Sequence, residues 1–403
     1  MGVDLIVVGG GAAGFFTAIT CAEASDKSVL ILEKTERLLH KVKISGGGRC
    51  NVTHDCIDPR QLSTHYPRGE KSLIGPFNRF GTSDTIEWFT RRGVTLKTEA
   101  DGRMFPDTDD SQTIVDALLD AAHSSGVDVE TSVSVNSIEQ RDGVFHISTG
   151  ATTYSAKNVV IATGGTRVAS GAELAASLGH ELAPATPSLF TFKIDDARLF
   201  DLAGLSVDGA EVKIHRSKLK SQGPVLITHW GLSGPGILKI SAWGARELAE
   251  RDYRFDISVN WLPGHDPLAT FAELRASDPK RRLVTASPFA LIPKRFWVRL
   301  LEAAGVDAST TWTELGKKPA NRLAAQLTNA TFSVNGKSMN KAEFVTCGGV
   351  VRDEINFQTM ESKLVDGLFF VGEVVDVDGI TGGFNFQNAW TAGFHAGTTI
   401  AAR

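Results

Sequence analysis

The sequence predicts an α/β protein: a Rossmann-like nucleotide-binding domain interrupted by a β-rich insert that carries a helical piece. Three observations predict it. The chain opens on a short apolar run, the spacing Gly9-x-Gly11-x-x-Gly14 and a helical pattern. It closes on a second strand, glycine pair and helix over residues 368–401. Between residues 187 and 345 the texture changes to short, turn-bounded segments with a helical stretch inside them.

Each part of the opening has a physical job. Residues 3–8 are a run of the kind buried in a parallel sheet. Gly9 allows the tight turn off the strand, and Gly11 has no side chain to obstruct a pyrophosphate. Gly14 lets the helix over residues 15–24 approach the sheet. Ala12 and Ala13 sit where a helix begins, and the free N–H groups and partial positive charge there suit phosphate. A second strand over residues 28–32 ends at Glu33, nineteen residues after Gly14, where a carboxylate can accept from a ribose 2′-OH.

Residues 41–51 follow directly. The run Ser45-Gly46-Gly47-Gly48-Arg49-Cys50-Asn51 is too glycine-rich for a stable helix or strand interior and reads as a loop exposing successive backbone N–H groups. Lys43 and Arg49 add positive charge to it, which points to a cofactor loop. Ser83 or Asp84 caps a helix ending at Gly93, and residues 101–106 form a turn that aims Arg103 at a site. Ser111 starts a helix with Ile114, Val115, Leu118 and Leu119 on its apolar face. Strands over 128–138, 144–149 and 153–155 precede a buried strand over 158–162 that stops at Thr163-Gly164-Gly165, where backbone can lie against a ligand. A short helix covers 172–178.

In the insert, residues 189–194, 211–215 and 225–228 predict a small antiparallel barrel or sheet, and 268–276, 295–303 and 321–328 predict helices. Residues 228–236, Thr-His-Trp-Gly-Leu-Ser-Gly-Pro-Gly, form a loop too elaborate for a simple connection. The closing unit runs from the strand at 368–371 into Gly372-Glu373, Asp376, Asp378 and Gly382-Gly383-Phe384-Asn385-Phe386, with a last helix over 388–401. Two nucleotide-type turns at opposite ends of the chain predict one long cofactor bridged by both, and FAD has that form. There is no second complete GxGxxG unit, so a resident NAD(P) is not predicted.

The bulk numbers bound the class. A chain of 403 residues is longer than one core supports, so at least two domains are expected. The net charge of −4 is no nucleic-acid signature for the whole molecule. Its distribution is uneven: residues 187–345 hold 22 Lys and Arg against 16 Asp and Glu, a net +6, while the remainder is −10. A basic middle of this kind is either surface variation or a face for an anionic partner. The four cysteines show neither CxxC nor zinc spacing, which predicts reduced thiols and no metal site. No basic leader precedes the first strand and no apolar run reaches membrane-spanning length, so a cytoplasmic enzyme is expected, with no membrane partner.

These motifs resemble the BaiN/RdsA (YhiN-like) family of bacterial FAD-binding flavoproteins, also described as aminoacetone-oxidase-like. The resemblance covers essentially the full length and rests on residues 9–14, 43–53 (KISGGGRCNVT), 102–106 (GRMFP), 228–236 (THWGLSGPG), 346–350 (TCGGV) and 372–387 (GEVVDVDGITGGFNFQ). His40, Lys43 and Cys347 depart from the residues more usual in the family. The resemblance implies a two-dinucleotide-binding-type flavoprotein with an FAD domain over 1–186 and 346–403, a β-barrel insert over 187–263 and 329–345, and a helical subdomain over 264–328. It implies FAD contacts from Gly9, Gly11, Ala13, Gly14, Glu33, Lys34, Ser45, Arg49, Cys50, Val135, Ala162, Thr163, Gly164, Gly372, Glu373, Gly383, Asn385 and Phe386. The motifs add Ala12, Gly46, Gly47, Asn51, Asp376 and Gly382.

The family chemistry implied is reduction of a C=C bond conjugated to a carbonyl, with NADH or NADPH as a transient electron donor. The substrate is then a small unsaturated ketone or a uracil base of ribosomal RNA. Cys50 and His229 are the candidate proton donors, with packing or loop-holding as their plainer roles, and Arg103 is the candidate for polarising a carbonyl. An oxygen-using amine or aminoketone oxidase and a non-catalytic flavin sensor are the other readings. His40 stands six residues before Gly46, an offset at which some fumarate-reductase-type flavoproteins attach FAD covalently; loops of this kind also use histidine as a phosphate or solvent contact.

Overall fold

A computed structural model describes residues 2–165, 170–338 and 345–403. The chain divides into two compact units, Met1–Pro187 with Lys341–Arg403, and Ser188–Asn340. Residues 339–344, which fall within the expected return of the β-rich insert, lie outside the described residues.

The first unit is built on a nine-stranded sheet. Its centre is β1 (Gly2–Val8), which feeds α1 (Ala12–Glu23) and then β2 (Val29–Leu32). β1 pairs in parallel with β2 on one side and with β3 (Thr153–Ile161) on the other. β4 (Leu368–Phe370) adds in parallel beyond β3, and the chain closes on α2 (Phe384–Ala401). Leu5, Ile6, Val7 and Val8 are all buried, as a parallel strand covered on both faces requires.

α2 packs on α1 through glycine. A Cβ on Gly393 would stand 3.0 Å from the Ala13 carbonyl oxygen, and one on Gly397 would stand 2.7 Å from that of Thr17. The two ends of the chain therefore meet along one helix pair, and close approach excludes any larger residue there.

Several element limits differ from the sequence reading. The strand expected over 128–138 is two, Asp128–Glu130 and Val135–Arg141, because Ser132 takes a left-handed conformation between them. The segments 153–155 and 158–162 are one continuous strand, held in register along the whole of β1. The helix near residue 84 runs Thr82–Thr90 and is capped at Gly81, whose N–H donates to the Asp84 carboxylate, so Asp84 is the N3 partner and not the cap. α2 begins at Phe384, four residues before the expected start, which places Phe384, Asn385 and Phe386 in its first turn. The short helix expected at 172–178 runs Ser170–Ser177.

The second unit has a five-stranded and a four-stranded antiparallel sheet around a shared core that includes Phe190, Phe192, Ile257, Trp261 and Phe332. The helices Pro267–Ser277, Lys294–Ala303 and Lys317–Thr328 form its helical part. The loop expected over 228–236 ends at Pro235, the first position of the helix Pro235–Trp243, and Ala245–Glu250 follows as a second helix.

Two buried histidines give the first unit a pH-dependent stability. The His395 ring nitrogens lie 3.0 and 3.1 Å from the carbonyls of Gln358 and Pro76, and His180 lies 2.8 Å from the Ser362 hydroxyl. Burial holds both imidazoles below the ordinary histidine pKa. A depressed folded pKa means that the unfolded chain binds the proton first as pH falls. The stabilisation is therefore full above the ordinary histidine value and declines below it. The melting temperature is expected to fall from pH 7.5 to pH 5.5, with a shallower slope in His395→Gln; a melting temperature that rises on acidification would contradict this.

Candidate functional site

The glycine turn after β1 is packed on one side and open on the other. A Cβ on Gly9, whose φ is +116°, would stand 2.5 Å from the Ala162 carbonyl oxygen, and one on Gly14 would stand 2.1 Å from that of Gly9. A Cβ on Gly11 would meet nothing within 4 Å. α1 has no side-chain cap, so its first backbone N–H groups, among them those of Ala12 and Ala13, face that open side without intrahelical partners. Glu33 is fixed at the end of β2: one carboxylate oxygen accepts from Gly10 N–H at 2.8 Å and the other from Thr35 N–H at 2.9 Å. An anchored carboxylate with spare lone pairs is what a ribose hydroxyl needs.

The other cofactor-type segments come to the same place. A Cβ on Gly372 would lie 2.9 Å from the Ala13 Cβ, so the C-terminal turn rests against the start of α1. The Gly10 carbonyl accepts from Leu39 N–H at 2.9 Å, which ties in the next loop. Glu373 accepts from Thr346 N–H at 2.7 Å and from Lys41 Nζ at 2.5 Å. The hydroxyls of Thr163 and Thr346 are buried without a hydrogen-bond partner among the described residues.

Residues 40–48 form a short helix, His40–Gly48, that breaks at Ser45, Gly46 and Gly47. Gly46, Gly47 and Gly48 all have positive φ, which explains why three glycines stand there. Beyond them, residues 51–54 are stitched to the start of α2. The Asn51 side-chain oxygen, with the amide oriented to satisfy its neighbours, accepts from Gly383 N–H at 3.0 Å. Thr53 Oγ1 donates to Gln387 at 2.6 Å, Trp390 Nε1 donates to the Val52 carbonyl at 3.0 Å, and His54 Nδ1 lies 3.0 Å from the Gly382 carbonyl. α2 also lacks a side-chain cap, so a second helix N-terminus is offered within the unit.

Several of the assigned side chains have partners within the protein. The Arg49 guanidinium pairs with Glu99 at 2.6 Å and Asp109 at 3.4 Å and lies 4.0 Å over the Phe105 ring, so its charge is neutralised by the neighbouring hairpin. Lys43 Nζ is held by Gln112 at 2.5 Å. Asn385 is occupied by Gly379, accepting from its N–H at 2.9 Å and donating to its carbonyl at 3.0 Å, so it closes the turn. Asp376 is buried with Arg352 3.9 Å away. Phe386 stacks on Trp390 with centroids 5.6 Å apart. Lys34 and His40 are exposed, and Val135 is buried at the start of its strand.

The three catalytic candidates differ in their surroundings. Cys50 is fully buried, and burial pushes its thiol up to about 12; Ser45 only partly offsets this. Arg49, next to it in the chain, is paired with Glu99 and Asp109. Arg103 is paired with Asp101 and Glu99, both at 2.8 Å. His229 belongs to the second unit and is exposed at the tip of a hairpin. Sequence reasoning missed His54 and His65, whose rings lie 4.6 and 4.3 Å from Phe384, and the buried pair Arg68–Asp378. Isolated histidines and arginines carry no spacing signal, so only the tertiary contact reveals them.

A family model described as the HI0933-like protein Rossmann domain matches residues 3–399. The chain is 30% identical over 409 residues to a protein of Escherichia coli (strain K12) named ribosomal RNA dihydrouridine synthase, covering 99% of this chain and 98% of that one. It is 29% identical to the 3-dehydro-bile acid delta(4,6)-reductase of Clostridium scindens, covering 98% of each. Among solved structures, a 3-ketosteroid-delta4-(5alpha)-dehydrogenase from Rhodococcus jostii RHA1 superposes with a TM-score of 0.54 at 15% identity, covering 100% of this chain and 97% of that one, a likeness of fold. Among the described residues no cluster of potential metal ligands occurs, and no helix is long and apolar enough to cross a membrane.

Proposed function

The chain belongs to the HI0933-like family and is an FAD-dependent oxidoreductase, and we propose that it adds two hydrogens across a C=C bond conjugated to a carbonyl. One observation carries the reading. The two relatives carry names that differ in substrate and share a reaction: a 3-oxo steroid with Δ4,6 double bonds and a uracil ring both present an alkene conjugated to a carbonyl. Near-complete coverage of both at similar identity makes that shared chemistry the best description of this chain.

The residues present fit FAD. Gly11 leaves room for the pyrophosphate, the N-termini of α1 and α2 would supply backbone donors, Glu33 would hold a ribose, and the loop from Ser45 to Asn51 lies against the Gly382–Gly383 turn. When bound, FAD supplies the hydride, delivered to the β-carbon of the conjugated system. The protein must supply the proton at the α-carbon and the donors that stabilise charge on the carbonyl oxygen.

Cys50 is set aside as the proton donor, since a fully buried thiol whose pKa burial pushes up to about 12 has no route to recover its proton from solvent between turnovers.

The experiment that tests the function is anaerobic. The protein is reduced with NADH or NADPH, and its reoxidation is followed spectrally with a uridine-containing ribosomal RNA fragment and with 4-androstene-3,17-dione. Reoxidation by either supports the reading. Reoxidation only by oxygen, with an amine as reductant, is the behaviour of an oxidase and would overturn it.

A further inference from the structure

One peptide plane in the first unit is held at both ends by side chains. It joins Gly382 to Gly383, the two residues before α2. Its carbonyl, that of Gly382, lies 3.0 Å from His54 Nδ1, and its N–H, that of Gly383, donates to the Asn51 side-chain oxygen at 3.0 Å. A carbonyl oxygen can only accept, so the first contact places a hydrogen on Nδ1.

The plane needs holding. Gly382 and Gly383 have φ of +127° and +92°. Two glycines in succession reach both signs of φ readily, so their own backbone chooses no orientation for the peptide between them. The choice comes from residues 51–54, and that segment is itself anchored. Val52 N–H donates to the Met104 carbonyl at 2.9 Å, and Asp55 N–H donates to that of Gly102 at 2.7 Å. Between them Thr53 and His54 pair antiparallel with Met104 and Arg103. The His54 ring is hemmed in: a Cβ on Gly102 would stand 2.6 Å from its Nε2, and the Phe384 ring centroid is 4.6 Å from its own.

What the plane aims is the start of α2. Asn51 takes the Gly383 N–H, and the N–H groups of Phe384, Asn385 and Phe386 that follow have no intrahelical partners. They carry the positive end of an 18-residue helix. Turning the peptide over would put its carbonyl where its N–H now stands and re-aim that first turn.

We propose that His54 is a positioning residue for the cofactor. With Asn51 it locks the Gly382–Gly383 peptide, so that the N-terminus of α2 faces FAD and favours the reduced, more negative state of the flavin. The proposal rests on FAD lying along the two glycine turns and holds whatever the substrate.

The test reads the midpoint potential of the bound flavin, by anaerobic titration against a reference dye, beside the dissociation constant of oxidised FAD. His54→Phe keeps a ring of similar size and removes the donor. The ratio of reduced to oxidised flavin affinity is expected to fall roughly 10-fold, which for a two-electron couple lowers the potential by about 30 mV. His54→Asn places an amide N–H close to where Nδ1 stands and is expected to restore the potential of the parent. His54→Ala adds no bulk and carries the same expectation as His54→Phe if that variant fails to fold. An unmoved potential in the variants without a donor would overturn the proposal. A fall in His54→Asn equal to that in His54→Phe would also overturn it, since the ring and not the hydrogen bond would then be the working part. Full flavin in Gly11→Leu would remove the glycine-turn site on which the proposal rests. Loss of flavin there, with an unmoved potential in His54→Phe, would overturn the clamp alone.

Discussion

Gly11→Leu yields a folded protein that has lost its yellow colour. Position 11 is unusual within its own motif. Gly9 and Gly14 face backbone oxygens at 2.5 and 2.1 Å, so any side chain at either breaks the packing of β1, α1 and Ala162. At Gly11 nothing lies within 4 Å, so a leucine costs the apoprotein little and fills only the space reserved for the pyrophosphate. Losing two backbone-to-phosphate hydrogen bonds, each worth about 1.5–3 kcal/mol, lowers FAD affinity roughly 10²- to 10⁴-fold. Flavin absorbance per chain and far-ultraviolet circular dichroism, measured together, check it. Native dichroism with full flavin would show that the glycine turn is not the phosphate site.

Arg68→Met unfolds the protein at a markedly lower temperature. Arg68 is 7% exposed and Asp378 is 0% exposed, and the guanidinium meets the carboxylate through two parallel hydrogen bonds, from Nε and from Nη2. Removing one partner leaves a carboxylate in the interior without its counter-charge, at a cost of about 3–5 kcal/mol. The damage reaches the site, since Asp378 adjoins Gly379, which Asn385 grips, and the turn at Gly382–Gly383 follows. Flavin content is therefore expected to fall with stability. The double variant Arg68→Met with Asp378→Leu is expected to recover most of the loss, because replacing both charges by apolar groups leaves no charge to bury. Calorimetry of the single and double variants decides it; a single variant as stable as the parent would contradict the account.

The parts of this site legible from the sequence are those built from backbone. Strand, glycine spacing, helix and terminal acid are local, and the residues from β1 to Glu33 carry their own reasons for being where they are. The same holds for the three glycines at 46–48, whose positive φ values are a local demand. Side-chain assignments travelled less well. Arg49 looks from sequence like charge for a cofactor, yet Glu99 and Asp109 come to it from a hairpin fifty and sixty residues on. Asn385 reads as a ligand contact, yet its amide is consumed by Gly379. The break at Ser132 and the helix start at Phe384 escape periodicity because left-handed turns and uncapped glycine starts leave the apolar pattern unmarked. The ring contacts of His54 and His65 with Phe384 join residues over three hundred positions apart, and no local pattern records them.

The central claim is that hydrogen is added to a conjugated alkene at the expense of reduced flavin. Anaerobic incubation of the reduced holoenzyme with a uridine-containing RNA fragment, followed by nuclease digestion and mass spectrometry of the nucleosides, reads it directly. The account predicts a uridine heavier by two hydrogens, formed in step with flavin reoxidation and absent in the Gly11→Leu protein. Unchanged uridine together with an unchanged enone control, while oxygen alone reoxidises the flavin, would contradict it.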